Sequence, residues 1–402
     1  MVQDALKYWH LIRPPKFRRK SCRGAGEFNL SIKEKRKLSI GIIISGSTHY
    51  SPGVKPFVWI AKWLDSLGFD FTLFRFKCGE EVNSFIKEKF SPIHVIDCSS
   101  EMNLIRNIQR SSVGVVFSDD AFDRIRILDR IKKELGLKTA VYVHIFFGLL
   151  TLSPSSYSQA IRVGNHRLRL FRLIPFSLLS SSHRRMLSSA DIVISNSQFT
   201  EMLTSLLYGR KSSGVIYPPI NDDAFPAGNR DLDREGVLVF VGDKLDRDPA
   251  SYIPTLKQIL EKGVRIKLFG DNHIMNYIFQ KLKSPLVSVN ANLTDTELFA
   301  LYRTSKITYI TQNWEDFGNV GPESLLNGTP VIVETPQPWM ELTGQSPLIR
   351  IERNSNNLAD RIIEPIPFIK EEQDRLLVSL TRSLSPRAAT ENFLKIVQDL
   401  TE

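Results

Sequence analysis

The chain has 402 residues, 42% hydrophobic and 24% charged, with a formal net charge of +10. That length exceeds one ordinary core and points to two domains, and the composition sets aside the disordered, collagenous and disulfide-rich classes. No apolar run reaches the roughly 18 residues of a membrane-spanning helix. The N-terminus lacks the apolar core of a signal peptide, and Cys22, Cys78 and Cys98 show no metal-ligand spacing, so a reducing cytoplasm is expected.

Residues 1–37 carry eleven Lys/Arg against three acids, which concentrates +8 of the charge in a basic N-terminal arm. With Tyr8, Trp9 and Leu11 interleaved, the arm could touch anionic lipid or nucleic acid, or be a solvated tail. A membrane surface is the expected partner of the two, and nucleic acid is not. Residues 38–220 then alternate strand and helix. Leu38–Ser45 is a continuous apolar strand, as parallel strands are. Gly46 to Gly53 forms a loop, and Phe57, Ile60, Ala61 and Leu64 recur at helical spacing in a helix near Lys55–Leu67. Strands follow at Phe69–Phe76, Ile93–Asp97, Val113–Ser118 and Thr139–Ile145, with helices at 101–110 and 121–135. Residues 149–175 break the rhythm. Arg162, His166, Arg167, Arg169 and Arg172 alternate there with Leu and Phe, giving either a membrane-surface or acceptor-binding element or a plain basic helix. A helix at 177–188, a strand at Ala190–Ser195 and a helix capped by Ser197 precede Val215–Ile220, which closes the domain.

Residues 221–235 are polar with Pro and Gly and read as a linker. A second alternation occupies 236–380: strand Val237–Val241, helix 249–262, strand Arg265–Phe269, helix 272–283, strand 286–290. Thr294 with Glu297 three residues on marks a capping box for the next helix. After strand Ile307–Thr311 comes a polar loop with Glu315, Phe317 and Gly318. Pro322 then suits the first turn of a helix, Gly328 the position past its end, and Val331–Val333 a β-branched strand. Leu348–Ile351 is a late strand, and 381–402 holds an amphipathic terminal helix. The architecture predicted is α/β: two Rossmann-like doubly wound domains facing across a cleft.

Two carboxylates thus share one strand–loop–helix crossover at the carboxyl edge of a sheet, where open α/β folds bind ligands. Glu323, in a helix's first turn, is favoured there by the macrodipole alone, or it serves a ligand. Carboxylates accept pairs of hydrogen bonds from vicinal hydroxyls. Backbone N–H groups around Asn319, Val320 and Gly321 offer a cradle for an anion or a sugar oxygen, and Gly318 and Gly321 permit close approach. Lys244 and Arg247, after strand Val237–Val241, are the candidate partners of a phosphate. Among competing motifs, the P-loop, the dinucleotide glycine spacing, the Gly-x-Ser-x-Gly elbow and His-Glu-x-x-His are all missing. His144, at the end of a strand, is either a site residue or a packing residue.

The run Glu315-Asp-Phe-Gly-Asn-Val-Gly-Pro-Glu323-Ser-Leu-Leu-Asn-Gly-Thr-Pro-Val resembles the Glu-x7-Glu motif of the GT-B-fold glycosyltransferases, specifically retaining family 4 (glycosyl transferases group 1). Similar segments are Leu293–Leu298 with Leu301-Tyr302, Ala190–Thr200, Val215–Ile220 with Phe225, and Pro52-Gly53-Val54-Lys55. The resemblance implies a C-terminal helix returning to the N-terminal domain. It also implies hexose transfer, with retention and without metal, from a UDP- or GDP-sugar to a glycan or lipid-linked acceptor. No cofactor is implied, because the nucleotide-sugar is a substrate. Glu323 would hold the ribose, Glu315 with the Phe317–Asn319 backbone the donor sugar, and His144 would stand on the acceptor side with the Gly46–Gly53 loop. The family places an Arg directly after the Gly corresponding to Gly242 and a Lys five residues later. Here those positions are Asp243 and Asp248, leaving Lys244 and Arg247 to substitute. A degenerate scaffold acting as a binding protein, or a nucleotide-sugar epimerase, are the alternatives on the same fold.

Overall fold

The computed structural model describes residues 39–46, 54–90, 95–144, 176–221, 234–242, 247–313, 315–353, 357–367 and 369–398. The basic arm, the Arg162–Arg172 segment, Gly53 and Lys244 lie outside the described residues. In chain order the first elements are β1 (Ile40–Ile44), α1 (Lys55–Ser66), β2 (Phe71–Phe76), α2 (Glu80–Lys89), β3 (Val95–Cys98), α3 (Glu101–Arg110) and β4 (Val115–Asp119). Next come α4 (Phe122–Leu135), β5 (Lys138–Val143), α5 (Phe176–Ser189), β6 (Ile192–Ser195), α6 (Gln198–Tyr208) and β7 (Gly214–Val215). The second series is β8 (Val237–Val241), α7 (Ile253–Glu261), β9 (Ile266–Gly270), α8 (Asn272–Leu282), β10 (Val287–Asn290), α9 (Asp295–Arg303) and β11 (Ile307–Ile310). It continues through α10 (Val320–Leu326), β12 (Val331–Val333), α11 (Met340–Thr343), β13 (Ile349–Ile351), α12 (Leu358–Ile363), α13 (Lys370–Leu384) and α14 (Pro386–Gln398).

Two parallel sheets result, ordered β3-β2-β1-β4-β5-β6-β7 and β10-β9-β8-β11-β12-β13. Both are doubly wound, and in both the strand order reverses beside the first strand, between β1 and β4 and between β8 and β11. The chain divides into two compact units, one holding β1–β7 with α14, the other β8–β13. Strand burial explains the continuous apolar runs: every residue of β1 and of β4 is buried, as expected for strands covered on both faces.

Helix ends follow local chemistry. Ser197 caps α6 by accepting from the Thr200 N–H, and Thr294 and Glu297 form the predicted capping box on α9. Gly328, with φ +75°, sits just past α10, in the left-handed conformation that favours glycine.

Helix α14 returns to the first unit. Ala389, Phe393, Leu394 and Val397 lie on one face at helical spacing and join the core of Ile40, Phe57, Leu73, Phe117 and Tyr142. The Phe393 and Phe117 rings are 4.6 Å apart, and Phe117 lies 4.7 Å from Phe57. Two helices depart from the sequence expectation. Residues 80–89 and 370–384 carry too few apolar residues to show a full stripe. Val82 and Ile86 in α2, and Leu376, Leu380 and Leu384 in α13, nevertheless recur every four residues and are buried.

Candidate functional site

Connections leave the first strand of each sheet on one side and the fourth on the other, so a crevice opens at the carboxyl ends where the order reverses. In the second unit that point lies between Gly242, after β8, and Thr311–Asn319, after β11. The carboxylate-bearing loop therefore stands at the position the topology makes available.

Glu323 is 3% exposed, and the Tyr302 hydroxyl donates to its Oε2 at 3.3 Å. Its own N–H donates to the Asn319 carbonyl at 2.9 Å, and the Asn327 side chain caps its carbonyl at 2.9 Å. Helix α10 has only seven residues, all buried from Gly321 to Leu326. The macrodipole contributes about 0.3–1 kcal/mol at an exposed site and up to about 2 kcal/mol at a buried one. Burying a carboxylate costs several times more unless hydrogen bonds satisfy it. The macrodipole and the Tyr302 hydroxyl both favour the carboxylate there.

The loop is pinned from inside. The Phe317 side chain is 1% exposed and its N–H donates to Asp316 Oδ1 at 2.9 Å, so Phe317 anchors the loop to the core. Gly318 has φ +85°, and a Cβ there would lie 3.2 Å from Glu315 Cγ and 3.3 Å from Trp339 Cδ1. This brings partly buried Glu315 against the same glycine. Asn319 precedes α10 without capping it, and its Oδ1 is buried with no hydrogen-bond partner among the described residues. Val320 opens the helix, half-buried. Gly321 differs from expectation: a side chain there would overlap the buried Trp339 indole. Internal packing, not the approach of a ligand, requires that glycine.

Arg247 does reach this edge. Its guanidinium donates to the Thr311 carbonyl at 3.2 Å and to Ser251 Oγ at 2.9 Å, and lies over the Tyr252 ring at 5.3 Å. It also grips both oxygens of Glu334, one of them at 3.0 Å, and the Tyr309 hydroxyl donates to the same carboxylate. Burial disfavours the guanidinium's charge, but Glu334 more than offsets this and raises its pKa. The cation is therefore already compensated.

Sequence reasoning missed Gln312. Its side chain packs over Gly242 so closely that any Cβ at Gly242 would overlap it, and its Oε1 is buried without a hydrogen-bond partner among the described residues. Nothing in Thr311-Gln312-Asn313 marks it, since the contact depends on the β8–β11 pairing.

In the first unit the corresponding point lies between β1 and β4. Arg124 pairs with Asp119 and reaches Ser45 Oγ at 3.3 Å, tying the two strand ends together. The Gly46 carbonyl accepts from the Gly79 N–H at 2.9 Å. One strand further, His144 follows β5 and belongs to a buried polar cluster. Its backbone N–H donates to Asp120 Oδ1 at 3.1 Å, and its Nδ1 lies 3.3 Å from Asn196 Nδ2. His183 Nε2 lies 2.9 Å from the Asp120 carbonyl, and Tyr142 packs edge-on against the His144 ring at 4.8 Å. Burial pushes the Asp120 carboxyl up, while the His183 and His144 imidazoles act in the opposite sense. Asp120, His183 and Asn196 were not singled out from sequence. The available signal was that Asp120 and Asn196 are polar residues directly following apolar strands.

Among the described residues, no group of three or more His, Cys, Asp or Glu could hold a metal ion, and no helix is long and apolar enough to cross a membrane.

No family model matches the sequence, and no curated protein matches it. Solved structures do match. A glycosyltransferase from Rickettsia africae ESF-5 aligns at TM-score 0.66 and 15% identity, over 91% of this chain and 99% of that one. Anabaena Alr3699/HepE in complex with UDP-glucose aligns at TM-score 0.66 and 15% identity, over 90% and 99%. Sucrose-phosphate synthase from Thermosynechococcus elongatus aligns at TM-score 0.62 and 14% identity, over 90% and 99%. This likeness shows the fold: two doubly wound parallel sheets of the GT-B type.

Proposed function

We propose that this chain is a glycosyltransferase that moves a hexose from a UDP- or GDP-sugar to a glycan or lipid-linked acceptor, retaining the anomeric configuration. The observation that carries the reading is Glu323, a carboxylate kept buried on the helix that follows β11, where strand order reverses. The fold is also matched along most of its length by the Anabaena protein solved with UDP-glucose, which supports a nucleotide-sugar as donor.

On this reading Glu323 accepts from the two ribose hydroxyls, each a charge-assisted bond. Glu315 and the backbone at Phe317–Asn319 orient the hexose. The developing charge on the departing diphosphate is the main electrostatic load. Lys244 and Arg247 are its candidate partners, with Arg247 shared between the phosphates and Glu334. Retention asks for no pair of glycosidase carboxylates: the leaving phosphate oxygen takes the acceptor's proton on the face it departs from. The scheme uses no cofactor and no metal.

Thermal shift against a panel of UDP- and GDP-sugars tests the proposal. At least one should stabilise the protein, and Glu323→Ala should abolish that effect. No shift with any nucleotide would reject the transferase reading and leave a binding scaffold, which the compensated Arg247 favours next. A peripheral position at the cytoplasmic membrane face is proposed on the basic arm and the Arg162–Arg172 segment.

A further inference from the structure

We propose a second ligand site, at the amino edge of the β8–β13 sheet, that takes a small phosphate monoester through Arg234 and Lys306. The crevice of the transferase reading lies at the carboxyl edge of the same sheet, so this site stands apart from it and does not rest on that reading.

The topology builds the cavity from residues that immediately precede strands. Glu235 and Gly236 lead into β8, Arg265 into β9 and Lys306 into β11, and these three strands are neighbours. Gly236 has φ +65°, and a Cβ there would lie 2.5 Å from the Arg265 carbonyl oxygen, so this position takes only glycine. The Lys306 N–H donates to the Gly236 carbonyl at 3.1 Å, which fixes the start of β11 beside it. Val264 after α7, with Ile362, Ile363, Pro365 and Ile366 at and beyond the end of α12, supplies an apolar wall. The cavity has a volume of about 480 Å³, within the range of small-molecule sites.

Charge gives the ligand its sign. Both carboxylates on the lining already have cations: Glu235 meets Arg265 at 2.6 Å, and Glu364 meets Arg361 and, at 3.3 Å, Arg350. Arg234 and Lys306 also line the cavity, and neither has an acidic partner among the described residues. Arg234 is half-buried, and burial alone lowers its pKa, with no carboxylate pulling the other way. Arg247, at the opposite edge, shows the contrast, since Glu334 compensates it. An anion in the cavity would do for Arg234 what Glu334 does for Arg247.

The guanidinium is also held ready. Its Nη1 donates to the Gly328 carbonyl at 2.6 Å and to Thr329 Oγ1 at 2.8 Å, which leaves Nη2 and Nε as donors. A planar pair of N–H groups suits two oxygens of one phosphate. A phosphate monoester carries about −1.5 to −2 charge at neutral pH, so it matches two uncompensated cations better than a singly charged carboxylate does. The isoleucine wall asks for an apolar group on that phosphate.

The test is isothermal titration calorimetry of the full chain with phenyl phosphate, inorganic phosphate and benzoate, each with and without saturating UDP. Phenyl phosphate should bind more tightly than either other probe, and UDP should not displace it. Lys306→Gln, an exposed change, should weaken phenyl phosphate about tenfold or more, the scale for one charge-assisted hydrogen bond, with the unfolding temperature unchanged. Arg234→Lys keeps the charge, loses the paired donors and should weaken it as well. Should that variant fail to fold, Lys306→Gln still decides. No saturable binding, an affinity untouched by Lys306→Gln, displacement by UDP, or benzoate binding as tightly as phenyl phosphate would each overturn the proposal. If the chain binds no UDP, the transferase reading fails while Lys306→Gln still decides this site, so the two failures are distinguishable.

Discussion

Replacing Glu323 by Gln separates ligand binding from helix support, because the two make opposite demands. The carboxylate is 3% exposed and receives the Tyr302 hydroxyl at 3.3 Å. A Gln carbonyl oxygen can still accept that bond, and a buried neutral amide costs less than a buried carboxylate. The ligand-free protein should therefore unfold at an unchanged or slightly higher temperature. Binding should suffer. Two hydrogen bonds to a charged group at about 1.5–3 kcal/mol each give about 3–6 kcal/mol in total, which weakens UDP affinity at least ~100-fold. With UDP at about 100 times the wild-type Kd, binding adds about 2.7 kcal/mol, or about 5–11 °C for a domain of this size. At the same concentration the variant gains about 0.4 kcal/mol, a shift of under ~2 °C. Differential scanning fluorimetry with and without UDP reads both quantities. If Glu323 serves only the macrodipole, ligand-free stability drops by about 0.3–2 kcal/mol and the UDP shift survives. That pattern would refute the reasoning.

Gly321→Ala should destabilise by about 1–3 kcal/mol through overlap with the Trp339 indole, read by urea denaturation; a neutral result would show that the indole yields. Glu334→Gln leaves the Arg247 cation without its counter-charge, so the ligand-free midpoint should fall while the UDP-induced shift grows; an unchanged shift would mean Arg247 does not meet the phosphates. The Asp120 carboxyl is raised by burial, so its proton-linked stability is fully present below the ordinary value of 3.8 and is lost as pH rises through the folded value. Asn stays neutral, so Asp120→Asn should gain on the wild type in denaturant midpoint from acid toward neutral pH, and a pH-independent difference would contradict this. Liposome pelleting with anionic vesicles should be weakened by deleting residues 1–37; equal pelleting of both forms would discard the arm's role.

Much of the fold is written locally. Pro322 and Gly328 bracket α10 because one lacks an N–H and the other accepts a left-handed backbone, so that crossover is legible without any tertiary contact. The capping box at Thr294 is equally self-contained, and the β-branched runs mark the parallel strands. What sequence could not convey is which residues meet across the sheet. Gln312 covers Gly242 because β8 and β11 are neighbours, and Trp339 reaches Gly321 from eighteen positions further along the chain. The pairing of Arg247 with Glu334 is of the same kind. Charge at Arg247 was readable, but its neutralisation by a residue at the end of β12 was not. The cluster around His144 draws Asp120, His183 and Asn196 from three separate crossovers, and none of them is unusual alone.

The return of α14 to the first unit also has a consequence in time. The first unit's core is built from strands made early, yet Phe393, Leu394 and Val397 follow the whole of β8–β13 in the chain. Until α14 is made, Phe117 packs with Phe57 and Tyr142 but lacks the Phe393 ring. The β8–β13 unit, encoded without interruption between β7 and α14, can finish folding while the unit synthesised before it is still waiting. Removing α14 should therefore weaken the first unit's core and not the β8–β13 unit beside it in the sequence. The first unit's core is thus completed out of the order in which its parts are made.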